Sequence, residues 1–315
     1  MRILPILFIA LVLTFTGFGA EAVVTKTKLA LNWKPEPQFG GFYAAQVGGH
    51  FKKNNLDVEI LQGGAGTPVV QMVAAKQMDF GIVSADEVVI SRSRGGDVVA
   101  LFAAYQTNPQ GIMTHAERNF SSLADVYKNE GTLAIQKGLP YAMYLEKKFA
   151  GAKVKVVPYA GGIANFLTDK TFSQQCFVTS EPLAAAKQNA KTKTFLIADE
   201  GYNPYTTVLV TRTDVLKSKP EIVKAMVAAV RAGWRDYLDK PEATNKLMGE
   251  LNKSMDAVTF IESAKAQKPL IETEETKKTG LGSMTDERWS ALSKQLVDLK
   301  VIDKAPETKS LYTNL

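Results

Sequence analysis

From Lys28 to about Arg212, short β-branched and apolar runs alternate with stretches of helical spacing. The pattern predicts strands over 28–32, 57–61, 79–83 and 98–105, with helical segments over 40–54, 67–76 and 86–93 between them. The alternation restarts after Met113. Strands are predicted over 132–136, 154–157, 176–178, 194–197 and 208–211, and helices over 141–149, 163–167 and 181–189. Helical patterns dominate thereafter. Over 219–238, Val223, Val227, Val230 and Trp234 recur on one face, and Pro220 suits a helix start. Thr285, followed by Asp286 and Glu287, caps a last amphipathic helix reaching about Leu299.

This order describes two α/β halves in series and a helical tail. The expected fold is a two-lobed binding-protein architecture, each lobe a mixed sheet with helices on both faces. The first lobe would comprise 23–108 and 209–315, with the helical C-terminal tail docked on it, and the second lobe 109–208. Two crossings, near 106–113 and 206–212, make a hinge with the ligand cleft between the lobes. In open α/β sheets ligands sit outside the carboxyl ends of strands, so the segments after each strand are where a site should lie.

The opening residues stand apart from this pattern. Arg2 and the apolar run from Ile3 to Phe18 are too short to span a bilayer comfortably, and Ala20-Glu21-Ala22 offers a signal-peptidase pattern. Cleavage after Ala22 and export to the periplasm are expected, against the alternative of a retained membrane anchor. The single cysteine, Cys176, rules out an internal disulfide, and none lies near the cleavage site to take a lipid. The net charge of +6 is spread over lysines that alternate with acids. No basic stripe interleaved with aromatics suggests nucleic-acid binding. Two histidines, His50 and His115, and one cysteine do not have metal-site spacing, and neither a GxSxG elbow nor HExxH is present. Catalysis, a metal and a cofactor are therefore not expected.

The strand ends carry the candidate site. After the first strand, Asn32-Trp33-Lys34-Pro35-Glu36-Pro37-Gln38-Phe39 is held extended by two prolines, which display Trp33 and Phe39. The turn holding Gly66 and Thr67 permits close backbone approach ahead of a helix. Ser84 and Asp86 open the next helix, where Ser84 reads more readily as a cap than as a nucleophile. Lys137 and Tyr141, Tyr159, and Glu181 stand at equivalent ends in the second half. Trp33, Phe39, Tyr43, Tyr105, Tyr141, Tyr159 and Tyr205 all fall at or beside strand ends, whereas core aromatics favour element interiors. A trap for nitrate, sulfonate or phosphate would call for arginine forks. These loops hold only Lys34 and Lys137, opposed by Asp86, Glu87 and Glu181. Acids facing aromatic platforms suit a neutral or cationic heterocycle with exocyclic amines.

Several ordered motifs carry a resemblance. Trp33-x-Pro-(x)3-Phe39-x-Gly41-Phe42-Tyr43-x-Ala45 is followed by Phe51-Lys52-Lys53-(x)2-Leu56-Asp57-Val58-Glu59-Ile60. Asp79-Phe80-Gly81-Ile82, Ser84-Ala85-Asp86, Tyr105-Gln106-(x)2-Pro109 and Glu181-Pro182 come after them. Over nearly the whole chain after residue 22 they resemble periplasmic binding proteins for nitrate, sulfonates, taurine and thiamine pyrimidine precursors. The likeness is greatest to the vitamin-precursor branch, whose members bind aminopyrimidines or riboflavin. It implies that Trp33 and a second-lobe aromatic sandwich a ring, with Glu181 opposite its amines. Asn32, Phe39, Tyr43, Gly66, Thr67, Ser84, Asp86, Tyr105, Lys137, Tyr141 and Tyr159 complete the expected lining. It also implies a monomeric importer component that binds a small-molecule ligand and delivers it to a separate ABC permease. Pyrimidine synthases of the same branch consume their own histidine and carry a cysteine-rich motif. The single cysteine argues for binding here, while Gln38 departs from the histidine or other polar pattern that pyrimidine binders often show in that loop, and a Gln-Phe-Gly-Gly loop serves a flavin equally well.

Overall fold

A computed structural model describes residues 24–315. The expected signal peptide and its cleavage site lie outside them. Among the described residues, ten strands form two five-stranded mixed sheets. The first contains β1 (Thr25–Ala30), β2 (Leu56–Leu61), β3 (Phe80–Val83), β4 (Val99–Tyr105) and β10 (Thr206–Thr211), in the order β2-β1-β3-β10-β4. The second contains β5 (Gln110–His115), β6 (Thr132–Ile135), β7 (Lys155–Pro158), β8 (Phe172–Phe177) and β9 (Thr192–Leu196), in the order β7-β6-β8-β5-β9.

The sheets repeat one plan. In each, a central strand pairs in parallel with two neighbours: β1 with β2 and β3, and β6 with β7 and β8. One strand then arrives from the other side of a crossing and pairs antiparallel on both edges. It is β10 between β3 and β4, and β5 between β8 and β9. Two details differ from the sequence pattern. Residues 110–115 form β5 instead of the crossing itself, because antiparallel pairing with β8 on one edge and β9 on the other takes up its backbone groups. The return crossing ends at Tyr205, and β10 begins at Thr206.

The crossings are fastened to one another and to the tail. The Asn108 N–H donates to Asn203 Oδ1 at 2.8 Å, and its side-chain amide donates to Pro204 O at 3.1 Å. Arg288, on the last helix Asp286–Asp298, donates to Asn203 O at 2.9 Å and lies 3.7 Å from the Tyr205 ring centre.

The tail packs on the first lobe through glycine. Helix Pro220–Asp239 buries Val223, Val227, Val230 and Trp234 along helix Gly40–Val47. A Cβ at Gly41 would collide with the Trp234 ring, and one at Gly40 with the Tyr237 ring. The 40–54 helix of the sequence pattern breaks at Gly48 and Gly49, the latter at φ +69°. His50 therefore starts a separate short helix and pairs with Asp236 at 2.6 Å. Among the described residues no helix is long and apolar enough to cross a membrane.

Candidate functional site

The cleft site starts from a stiff loop. After β1, Pro35 and Pro37 keep the chain out of helix until the single turn Pro37–Phe39. Asn252 Nδ2 donates to Pro35 O at 3.1 Å and anchors the loop to the tail. Trp33 stays 37% exposed, and its indole Nε1–H donates to Glu36 Oε1 at 3.2 Å. Glu36 is largely withdrawn from water. Desolvation, with a smaller contribution from the Glu181 carboxyl of the other lobe, pushes its pKa up to about 7, against the lowering effects of Trp33 and Lys34.

The second lobe answers with Glu181, first residue of helix Glu181–Lys187. Glu181 Oε2 accepts from the Phe177 N–H at 2.8 Å, and Oε1 accepts from the Tyr159 hydroxyl at 3.1 Å. Burial pushes the Glu181 carboxyl above the usual range despite these donors. Tyr105, at the end of β4, is fully buried and donates from its hydroxyl to Gln267 Oε1 at 2.5 Å. It lies beside the second lobe's Thr179 and within the field of Glu36. Glu36, which accepts from Trp33, thus lies within the field of Glu181, which accepts from Tyr159, and Tyr105 lies within the field of Glu36.

Other expected lining residues sit elsewhere. Phe39 and Tyr43 do not stand as platforms, being 1% and 2% exposed in the first-lobe core. The small Gly40 and Gly41 draw helix Pro220–Asp239 against their turn, so both rings are covered from behind. Ser84 and Asp86 form a separate cluster. The Ser84 N–H donates to Glu87 Oε2 at 2.9 Å as a capping box, and the Ser84 hydroxyl donates to Asp86. Tyr202 from the crossing reaches Asp86 Oδ2 at 3.4 Å. The Tyr141 hydroxyl donates to Gln175 Oε1 at 2.6 Å and lies within the field of Glu181. Lys137 and Gly66 are exposed, and Asn32 is partly buried at the loop's start. Thr67 turns inward on its own turn, accepting from the Gly64 N–H at 2.8 Å. Glu36 was absent from the expected lining. Its signal was a lone acid clamped between two prolines, three residues after a tryptophan.

Among the described residues no group of three or more His, Cys, Asp or Glu could hold a metal ion. His115 is fully buried in the second lobe, stacked 3.9 Å from Phe166.

Comparison with known proteins gives this geometry a family context. The family model described as "NMT1/THI5 like" matches residues 36–244. The formylaminopyrimidine-binding protein of Halalkalibacterium halodurans is 29% identical over 124 residues, 39% of this chain and 37% of that protein. The match therefore spans little more than a third of that relative's length. The riboflavin-binding protein RibY of Chloroflexus aurantiacus is 20% identical over 318 residues, 94% of this chain and 87% of that protein. Other curated relatives are named 4-amino-5-hydroxymethyl-2-methylpyrimidine phosphate synthases. The periplasmic aliphatic sulphonate binding protein SsuA from Escherichia coli superposes with a TM-score of 0.71 at 11% identity, covering 92% of this chain and 93% of that one. The architecture is the periplasmic-binding-protein fold.

Proposed function

The chain belongs to the NMT1/THI5-like family, and from that premise we propose that it is the extracytoplasmic solute-binding component of an ABC importer. It closes on a small aromatic heterocycle bearing N–H donors, with a thiamine pyrimidine precursor as the preferred ligand. One observation carries the ligand class: two withdrawn carboxyls from opposite lobes, Glu36 accepting from Trp33 and Glu181 accepting from Tyr159, stand within each other's field. Two withdrawn carboxyls offer a sulfonate or nitrate no cationic fork, but they accept hydrogen bonds from ring amines. A ring between Trp33 and Tyr159 gains ~0.5–1.5 kcal/mol per stacked pair beyond its burial. Ligand-driven hinge closure then presents both lobes to a permease that is a separate polypeptide.

Riboflavin is the second reading, favoured by the length of the RibY match, 94% of this chain. The synthase reading has less support. Synthases of this branch consume a histidine of their own, and here His50 pairs with Asp236 on the outside while His115 is enclosed in the second-lobe core.

The test is a thermal-shift screen of the secreted protein against aminopyrimidines, thiamine, riboflavin, taurine and nitrate. A true ligand at a hundredfold excess over its dissociation constant adds ~2.7 kcal/mol. Glu181→Gln should weaken an aminopyrimidine by ~1.5–3 kcal/mol. Stabilisation by taurine or nitrate alone, or unchanged affinity in the Gln variant, would overturn the ligand class. Release of a newly made pyrimidine would overturn the binding role.

A further inference from the structure

Among the described residues, polar side-chain contacts join the lobes in two regions besides the acid junction. One is beside the crossings. Gln295 Nε2 donates to Gly201 O at 2.7 Å, and Lys147 Nζ donates to Asp298 O at 2.9 Å. The other is remote from them. Lys187, the last residue of helix Glu181–Lys187, puts its Nζ 2.5 Å from Asp256 Oδ1 and also donates to Thr259 Oγ1.

Asp256 is already the cap of helix Ala257–Ile271, accepting from the Val258 and Thr259 N–H groups at 3.0 and 3.1 Å. The opposite end of that helix is fixed at the crossing, where Leu270 O accepts from the Gln106 and Thr107 N–H groups at 2.9 and 3.0 Å. Fourteen residues at 1.5 Å each place the Asp256 contact about 21 Å from that anchor. The short second-lobe helix that meets it carries Glu181, the cleft acid, at its first position and Lys187 at its last. Delivering Glu181 into the cleft and bringing Lys187 to the helix cap are thus one rigid movement.

We propose that Lys187 is a closure latch: a positioning residue that touches no ligand, but whose ion pair with the Asp256–Thr259 cap sets how long the cleft stays shut. This rests on the reading of the protein as a trap that opens and closes. The lever arm makes the contact sensitive, since parting the pair by ~4 Å at a radius of about 21 Å needs a rotation of only about 11°. The pair is also weak enough to release, with the Lys187 and Asp256 side chains 32% and 60% exposed. Exposed pairs are screened by salt. A stronger buried contact would hold the cleft shut on its cargo, and no contact would let a loosely bound ligand escape.

A double-mutant cycle on the secreted protein tests the latch through the inter-lobe distance, read without ligand by paired fluorophores and small-angle scattering. Lys187→Met and Asp256→Asn each remove the charge, and Asn keeps the helix cap. Each should raise the open-to-closed ratio about two- to fivefold, and the double variant no further than either single. Lys187→Arg should retain the closed population, and ~500 mM salt should bring the wild type toward the variants. Whichever ligand binds the wild type should leave the single variants faster by a similar factor. Unchanged inter-lobe distances in both singles, or additive effects in the double, would overturn the latch. So would an effect confined to thermal unfolding, which would mark a purely structural contact. Failure of every compound in the ligand screen would overturn the proposed ligand class, while the ligand-free distances would still decide the latch.

Discussion

Glu36→Gln separates the cost of the acid junction from everything else in the cleft. Desolvation first, and the Glu181 carboxyl among the smaller causes, raise the Glu36 pKa from 4.5 to about 7. A raised carboxyl favours the closed, folded form when protonated. That stability is fully present below about pH 4.5 and is lost as the pH rises through about 7. The difference, 7 − 4.5 = 2.5 pH units at 1.36 kcal/mol each, is about 3 kcal/mol. It is an upper bound, because opening of the lobes rehydrates the group. Glutamine keeps an acceptor for the Trp33 indole and cannot ionise. Asp86 and Glu87 are also raised by burial, but both proteins share them, so the difference between the two reports position 36 together with its coupling to Glu181. Urea unfolding of the ligand-free proteins from about pH 4.5 to about pH 8 should show them equal at the acid end. The Gln variant should become more stable by up to about 3 kcal/mol at the alkaline end. A difference that stays flat across this range, or a Gln variant less stable at the alkaline end, would refute the reasoning.

The remaining expectations concern which aromatics and glycines build the fold and which serve the cleft. Trp33→Ala should abolish ligand binding in calorimetry yet change apo stability by less than about 1 kcal/mol, because the ring is already part-exposed. Phe39→Ala, six residues along the same loop, should cost about 3–5 kcal/mol in thermal unfolding, since that ring is core. The reverse ranking would exchange their roles. Gly233→Ala should destabilise the fold by about 3 kcal/mol, because its new Cβ would collide with the Gly41 carbonyl where two helix backbones meet. A neutral result would mean that helix Pro220–Asp239 can shift away.

The alternation of apolar runs and helical spacing was enough to expose most of the two-sheet plan, because strands covered on both faces stand out as apolar blocks. β4, Val99–Tyr105, is buried at every position and was legible nearly to the residue. β5 was not legible as a strand. Gln110-Gly-Ile-Met-Thr-His115 mixes polar and apolar side chains, and its strand character comes from pairing with β8 and β9, whose partners lie some 60 and 80 residues further on. The break at Gly48-Gly49 was marked by its glycines, but the apolar spacing on either side ran through it.

The site was harder to read than the fold because a loop side chain's direction is set by what packs behind it. Trp33 and Phe39 share one proline-stiffened segment, and sequence treats them alike. The structure divides them: Phe39 turns back where Gly40 and Gly41 admit the tail helix, and Trp33 turns forward over Glu36. The protein's other two tryptophans, Trp234 and Trp289, are fully buried. A core that has room for both makes a half-exposed third a departure that packing does not require. Leaving that ring in water forfeits part of the ~1.5–3 kcal/mol that burying a large apolar side chain returns. Placing Glu36 beneath it adds a desolvated carboxyl to the same spot. Both costs would be recovered by the ligand class proposed above, an aromatic ring whose face covers the indole while its N–H donors reach the two acids.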